Sequence, residues 1–210
     1  MSIPFAPRFL VVSLGNQKPY YDTLHSAGHF ALVAAQKTLA PSQPHFMSER
    51  YGSKACQAST AVPYTMVQSP TMMNICGPWV AKAWKEMLNA HQLKPSELAL
   101  VIVHDDLEMK LGDVRIRDWK ASHRGHNGVK STNTSLKPTD FPEARWSRIS
   151  IGIGRPDERD RTSVSDYVLK RMTSFQRSTL DTKVGPKLVG RLRELHDDWE
   201  EENDRETSNM

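Results

Sequence analysis

The sequence predicts an α/β fold: a single three-layer domain with a mixed, mainly parallel central sheet flanked by helices. Three observations predict it. Short apolar runs at Phe9–Leu14 and Leu98–Val103 have the pattern of strands buried on both faces, and Arg148–Ile153 reads as another strand. Segments with helical spacing alternate with these runs, as crossovers between parallel strands require. At 210 residues the chain suits one domain built on one core.

Each element follows from local sequence. Phe9–Leu14 is stopped by Gly15-Asn16, and Gln17-Lys18-Pro19 turns the chain. A helix is expected from about Ser26 to Thr38, with Ser26 at its N-cap, so that His25 sits just before it. Residues 40–60 are rich in Pro, Ser and Gly and read as a long surface-loop insertion. Val62–Val67 resembles a strand, and Thr71–Asn74 leads into a second strand or a turn. Pro78 opens a helix to about Ala90, with Val80, Ala83 and Met87 on one buried stripe.

Leu98–Val103 ends abruptly at His104-Asp105-Asp106. That places polar residues at the carboxyl end of a strand, where open α/β sheets handle ligands. Val114–Arg117 alternates like an edge or half-buried strand, with Arg115 and Arg117 on one face. Val129–Ser135 reads as a short helix, Ser163–Leu169 is ambiguous, and Ser174–Thr182 can be helical. Lys183 to about Glu202 reads as a final helix carrying Leu188, Leu192, Leu195 and Trp199; its end and the residues beyond are expected to fray.

Composition narrows the class. No run approaches the length that spans a membrane, so no membrane partner is expected. Cys56 and Cys76 are too few for a disulfide scaffold and have no metal-ligand spacing, which points to a reducing compartment. The opening MSIPFAPR gives way at once to a strand-like run, leaving no room for a signal peptide. The net charge of +4 is unevenly distributed: residues 191–210 hold eight acidic and three basic residues, leaving residues 1–190 at +9. A basic body suits a phosphate-rich partner, although solvated surface charge explains it equally well. The acidic end is expected to weaken polyanion binding at low salt.

Several side chains have the chemistry for catalysis. His25, on a loop at a helix start, can serve as a general base near neutral pH. Asp105 can orient such a base, or be no more than a charge at a strand end. Asn16, Asn74 and Asn127 lie at element ends or beside glycine; their amides can donate to a developing oxyanion, though Asn before Gly is most often turn chemistry. Arg115, Arg117, Lys120, Arg124 and Lys130 form the densest basic patch and suit a phosphate clamp. No serine or cysteine nucleophile motif appears, and Gly152-Ile153-Gly154 lacks the rest of a dinucleotide fingerprint. His104, Asp105, Asp106, His123 and His126 match no common zinc spacing, so no metal and no cofactor are expected.

The order of the motifs is more specific than any one of them. Phe9–Gly28, Thr71–Gly77 (TMMNICG), Val103–Leu107 (VHDDL), Gly125–Gly128 (GHNG) and Arg148–Gly154 (RISIGIG) resemble successive motifs of the bacterial-type peptidyl-tRNA hydrolase family. The resemblance spans roughly residues 9–170 and implies a metal-free hydrolase of the ester between a peptide and the 3′ ribose of tRNA. It implies His25 as the base, Asp105 as its orienting partner, and Asn16 in the catalytic set. Met73, Asn74, Asn127 and His126 would contact substrate. Tyr20 matches the family tyrosine near the terminal ribose or base, with Tyr21 as competitor in a loop one residue short.

Departures from the family pattern are local. Leu24 and Ser26 replace the usual Arg and Asn around the histidine, and Arg124 replaces the first glycine of the Gly-Gly-His-Asn-Gly motif. One of two phosphate-clamp positions falls on Arg117 and the other on Ser150, so Arg148, Arg115 or Arg124 would have to rebuild the clamp. The 40–60 stretch and the acidic end suggest a eukaryotic, fungal-like member, and a monomer in the cytosol is expected, with mitochondria as the alternative. Residues 1–190 would form the hydrolase domain and 191–210 the acidic end of the last helix and tail. The alternatives are a catalytically idle homologue that binds RNA or protein, and a metal-dependent hydrolase of a small phosphorylated substrate.

Overall fold

The computed structural model describes residues 6–208, and among them seven strands form one sheet. In chain order these are β1 (Phe9–Ser13), β2 (Met47–Tyr51), β3 (Lys54–Thr60), β4 (Tyr64–Gln68), β5 (Ala99–Asp106), β6 (Val114–Asp118) and β7 (Trp146–Gly152). Their spatial order is β2-β3-β4-β1-β5-β7-β6. The central four, β4, β1, β5 and β7, are mutually parallel, while β2, β3 and β6 add antiparallel pairs at the two margins. The apolar runs become the parallel core because crossover helices cover both faces there: all five residues of β1 and all eight of β5 are buried.

Among the described residues six α-helices accompany the sheet: α1 (Ala27–Leu39), α2 (Gly77–His91), α3 (Asn127–Ser135), α4 (Arg161–Leu169), α5 (Ser174–Thr179) and α6 (Gly185–Ser208). One core layer joins Phe9, Val11, Val101 and Ile149 to α1 and α6 through Ala31, Leu32, Leu188 and Leu192. The other joins Leu10, Val12, Leu100 and Ile102 to α2 and α3 through Val80, Trp84 and Val129. No helix among the described residues is long and apolar enough to cross a membrane.

Residues 40–60 are not a loop. They contain the β2–β3 hairpin, which turns through Gly52 and Ser53 at φ +56° and +63°. The hairpin escapes a sequence reading because most of its side chains face solvent and only Cys56, Ala58 and Ser59 are buried along β3. Trp79 of α2 anchors the turn by donating its indole N–H to the Tyr51 carbonyl at 2.9 Å.

The last helix also differs from expectation: α6 runs unbroken to Ser208. Its far half is held by Trp199, which packs edge-on against Phe9 and lies 5.0 Å beneath the Arg145 guanidinium, while Arg145 also pairs with Glu202 at 2.5 Å. The acid-rich end is therefore part of the same packed body, not a separate tail. It lies past the amino ends of the strands, whereas the start of α6 reaches the carboxyl ends, where Lys187 donates to the Gly112 carbonyl.

Candidate active site

The chain leaves β1 toward α1 on one side and places β5 on the other, so the β1–β5 boundary is the point where strand order reverses. Ligands of open α/β sheets collect there. Gly28 allows α1 to sit down on this boundary, since a Cβ would come within 2.7 Å of the Leu14 and Val103 carbonyls. A cleft of about 850 Å³ opens at this edge. Asn16, Tyr20, His25, Met73, Asn74, Asp105, Arg117, Arg124, His126, Asn127 and Arg148, all singled out from sequence, line it. Arg115 does not; it is exposed on β6, opposite Ser150.

The strand that brings Asp105 here is longer than its apolar run. β5 continues through His104, Asp105 and Asp106, which pair with Ser150, Ile151 and Gly152 of β7 and are buried. A buried carboxylate needs partners, and Asp105 has two histidines. His25 Nδ1 lies 3.0 Å from each Asp105 oxygen, and His126 Nε2 lies 2.9 Å from Oδ1. Burial works to raise the Asp105 pKa, but these imidazoles overcome it and hold the carboxyl well below the usual carboxylate range.

An ionised Asp105 can only accept, so His25 donates through Nδ1 and keeps the lone pair of Nε2 for the cleft. Burial pushes the His25 imidazole down, yet the Asp105 charge and hydrogen bond prevail and its pKa lies above the ordinary histidine value. His126 is locked differently. It is the N-cap of α3, and its Nδ1 accepts from the Val129 N–H at 3.2 Å, so Nε2 must carry the proton donated to Asp105. Both nitrogens of His126 are thus engaged within the protein, and its ring backs Asp105 while lining the cleft. His104, 4.9 Å away ring to ring, is pushed by burial down to about 3 and stays neutral, donating Nδ1–H to the Asp105 carbonyl and accepting from Ser150 Oγ.

His25, Asp105 and His126 offer ligand atoms within 4.8 Å of one another, a set that fits a divalent cation by donor type. In the tautomers described, both nitrogens carry protons toward Asp105. A cation there would require both rings to switch tautomer and the Val129 N–H to lose its acceptor.

Asn16, Asn74 and Asn127 line the same cleft. Met73 N–H donates to Asn16 Oδ1 at 3.1 Å, which leaves the Asn16 Nδ2 group for the cleft. Gly128 permits Met73 to pack beneath, since a Cβ would come 2.4 Å from its sulfur. Asn74 and Asn127 are exposed on a 3-10 turn and at the start of α3. Tyr20 is 41% exposed at the mouth, whereas Tyr21 is packed away, its hydroxyl on Gln68 and its ring stacked on His29. Of the two, Tyr20 lines the cleft.

Arginines form the opposite flank. Arg117 and Arg124 approach one Asp106 oxygen at 3.4 and 3.9 Å. Arg148, a clamp candidate by sequence, is 2% exposed and donates to the Asp118 and Ala121 carbonyls. Its guanidinium fastens the 118–121 turn, and burial lowers its pKa. Sequence reasoning missed Arg155, Arg159 and Arg161, which line the cleft after β7, and Val164, Val168 and Leu169 of α4, which form an apolar wall. Three arginines within seven residues directly after a strand were the available signal.

Residues 10–208 match the family model described as peptidyl-tRNA hydrolase. A peptidyl-tRNA hydrolase of a Sulfurihydrogenibium species is 34% identical over 175 residues, 81% of this chain and 82% of its own length. The probable peptidyl-tRNA hydrolase of Schizosaccharomyces pombe is 36% identical over 138 residues, 65% of this chain and 64% of its own length. The crystal structure of peptidyl-tRNA hydrolase from Acinetobacter baumannii shares the fold with a TM-score of 0.64 at 21% identity, covering 93% of this chain and 96% of that one. The chain belongs to the peptidyl-tRNA hydrolase family.

Proposed function

We propose that the chain hydrolyses the ester joining a peptide, or an N-blocked amino acid, to the 3′ ribose of tRNA. One observation carries the mechanism: His25 is tied through Nδ1 to a buried ionised carboxylate, and its ring lines an open cleft that Asn16 also lines. In this reading a water lodged between His25 and the ester carbonyl gives its proton to Nε2 as its oxygen attacks. The carbonyl oxygen becomes an oxyanion that accepts from Asn16 Nδ2, with Asn74 and Asn127 beside it. Collapse breaks the bond to the 3′ oxygen, which takes the proton from His25 and leaves as the free ribose hydroxyl. Asp105 stabilises the imidazolium between the two transfers and does not itself take the proton.

The peptide side is the apolar half of the cleft, Met72, Met73, Val164, Val168 and Leu169. Arg117, Arg124, Arg155, Arg159 and Arg161 supply the positive flank that a phosphodiester chain requires.

The test is release of N-acetylated amino acid from tRNA, with a chelator present, by the native chain and by His25→Ala. Cleavage by the native chain and a loss of ~10² or more in the variant are expected for removal of a general base. Binding of tRNA without cleavage by the native chain would overturn the reading in favour of a binding module. Activity abolished by the chelator would favour a metal-dependent hydrolase.

A further inference from the structure

Ser26 occupies the N-cap of α1 but does not cap it. Cap serines normally turn their hydroxyl onto the first backbone amides of the helix. This one is fully buried and points the other way. Its Oγ accepts the Asn16 N–H at 2.9 Å and donates to the Tyr20 carbonyl at 3.1 Å. One hydroxyl therefore closes the loop that leads from the end of β1 to the His25 turn.

The consequence is geometric. Asn16 is held at its main chain by Ser26 and at its side chain by the Met73 N–H. Ser26 is covalently next to His25, and its own N–H returns to the Thr23 carbonyl at 2.9 Å, closing the 3-10 turn that carries His25. The Tyr20 carbonyl is gripped again by Thr23 Oγ1 at 2.7 Å. The amide donor and the imidazole base thus share one buried hydrogen-bonded knot, and a buried group that loses its partner there regains none from solvent.

We propose that Ser26 is a positioning residue whose hydroxyl sets the placement of the Asn16 amide relative to the His25 imidazole. The inference rests on the hydrolase reading above. It requires that Ser26 act through Asn16, and that the hydrogen bonds of the hydroxyl matter more than its volume. Displacement of a donor by a fraction of an ångström lowers the rate of the chemical step while leaving ground-state binding nearly unchanged.

The experiment compares the native chain with Ser26→Ala, Ser26→Cys, Asn16→Ala and the Asn16→Ala/Ser26→Ala double variant on N-acetyl-aminoacyl-tRNA. Unfolding midpoints are measured for each and assays run well below them. Ser26→Ala and Ser26→Cys are each expected to lower kcat about 10-fold with KM within about 2-fold, because a thiol is a weak hydrogen-bonding replacement of similar shape. The double variant is expected to be no slower than Asn16→Ala, since groups that act as a unit are not additive. Full additivity, a native kcat in Ser26→Ala, or a native kcat in Ser26→Cys alone would each overturn the proposal. An inactive native chain would instead overturn the hydrolase reading, and this inference with it.

Discussion

At the His25 side of the cleft, Asp105 has a partner on each oxygen, and His104 and His126 each have a partner on both nitrogens. At the arginine side, Arg117 and Arg124 meet Asp106 only at 3.4 and 3.9 Å, and half of the Arg124 side chain is open to water. In the proposed function the difference separates two tasks. Bond breaking needs donors and a base fixed before substrate arrives, because movement during the reaction costs rate. Holding a phosphate chain needs cations that can swing onto it, and loosely paired surface guanidinium groups lose little on leaving their partner.

The largest expected effect breaks the fixed side. Asp105→Asn should lower kcat by ~10²–10⁴, as loss of an orienting carboxylate does in a hydrolytic triad. Its pH profile sharpens the point. Asp105 raises the His25 pKa and the base must be unprotonated, so the native acid limb of kcat/KM should lie above the ordinary histidine value of about 6.5. In Asp105→Asn burial acts unopposed, and the limb should move to lower pH even as kcat falls. An unmoved limb would show that His25 is not the titrating base.

The loose side should respond in KM. Arg117→Ala and Arg124→Ala are each expected to raise KM about 5- to 10-fold with kcat within about 2-fold, and to reduce the salt dependence of binding by about one unit of slope. Arg148→Met tests which side Arg148 serves. It should destabilise the fold by about 2 kcal/mol, the order for hydrogen bonds from a charged donor. A change in KM with unchanged stability would return Arg148 to the clamp. The smallest effect belongs to the acidic end. Glu201→Gln with Glu206→Gln should change KM by less than about 2-fold near 0.15 M salt, because its distance from the cleft exceeds the screening length. Truncation after Leu195 is a different experiment, since removing Trp199 strips a buried side chain and should cost about 3–5 kcal/mol.

The legible parts of the fold were those in which burial is two-sided. β1 and β5 announced themselves because both faces are covered; β2 and β3 did not, because a solvent-facing margin strand is as polar as a loop. Arg115 and Arg117 were correctly placed on β6, but alternation gives a face and not a depth. The same limit hid Arg148, which lies inside the sheet on β7 with carbonyls already around it. His25 and Asp105 are weak signals singly, and the family order of motifs joined them across 80 residues of sequence separation. No pattern could have shown that Ser26 turns away from its helix, since a serine there predicts an ordinary cap.

Helix α6 has 24 residues and is therefore about 36 Å long, running from the carboxyl edge of the sheet to beyond its amino edge. Its negative residues concentrate at the far end, while the arginines gather at the cleft. Among the described residues six arginines line the cleft, and seven of the eight carboxylates of α6 lie beyond His196, away from it. Under the proposed function, that separation would turn the cleft toward a nucleic acid before contact as well as attract it. Encounters are biased toward the productive orientation, and that bias disappears as added salt shortens the reach of the field.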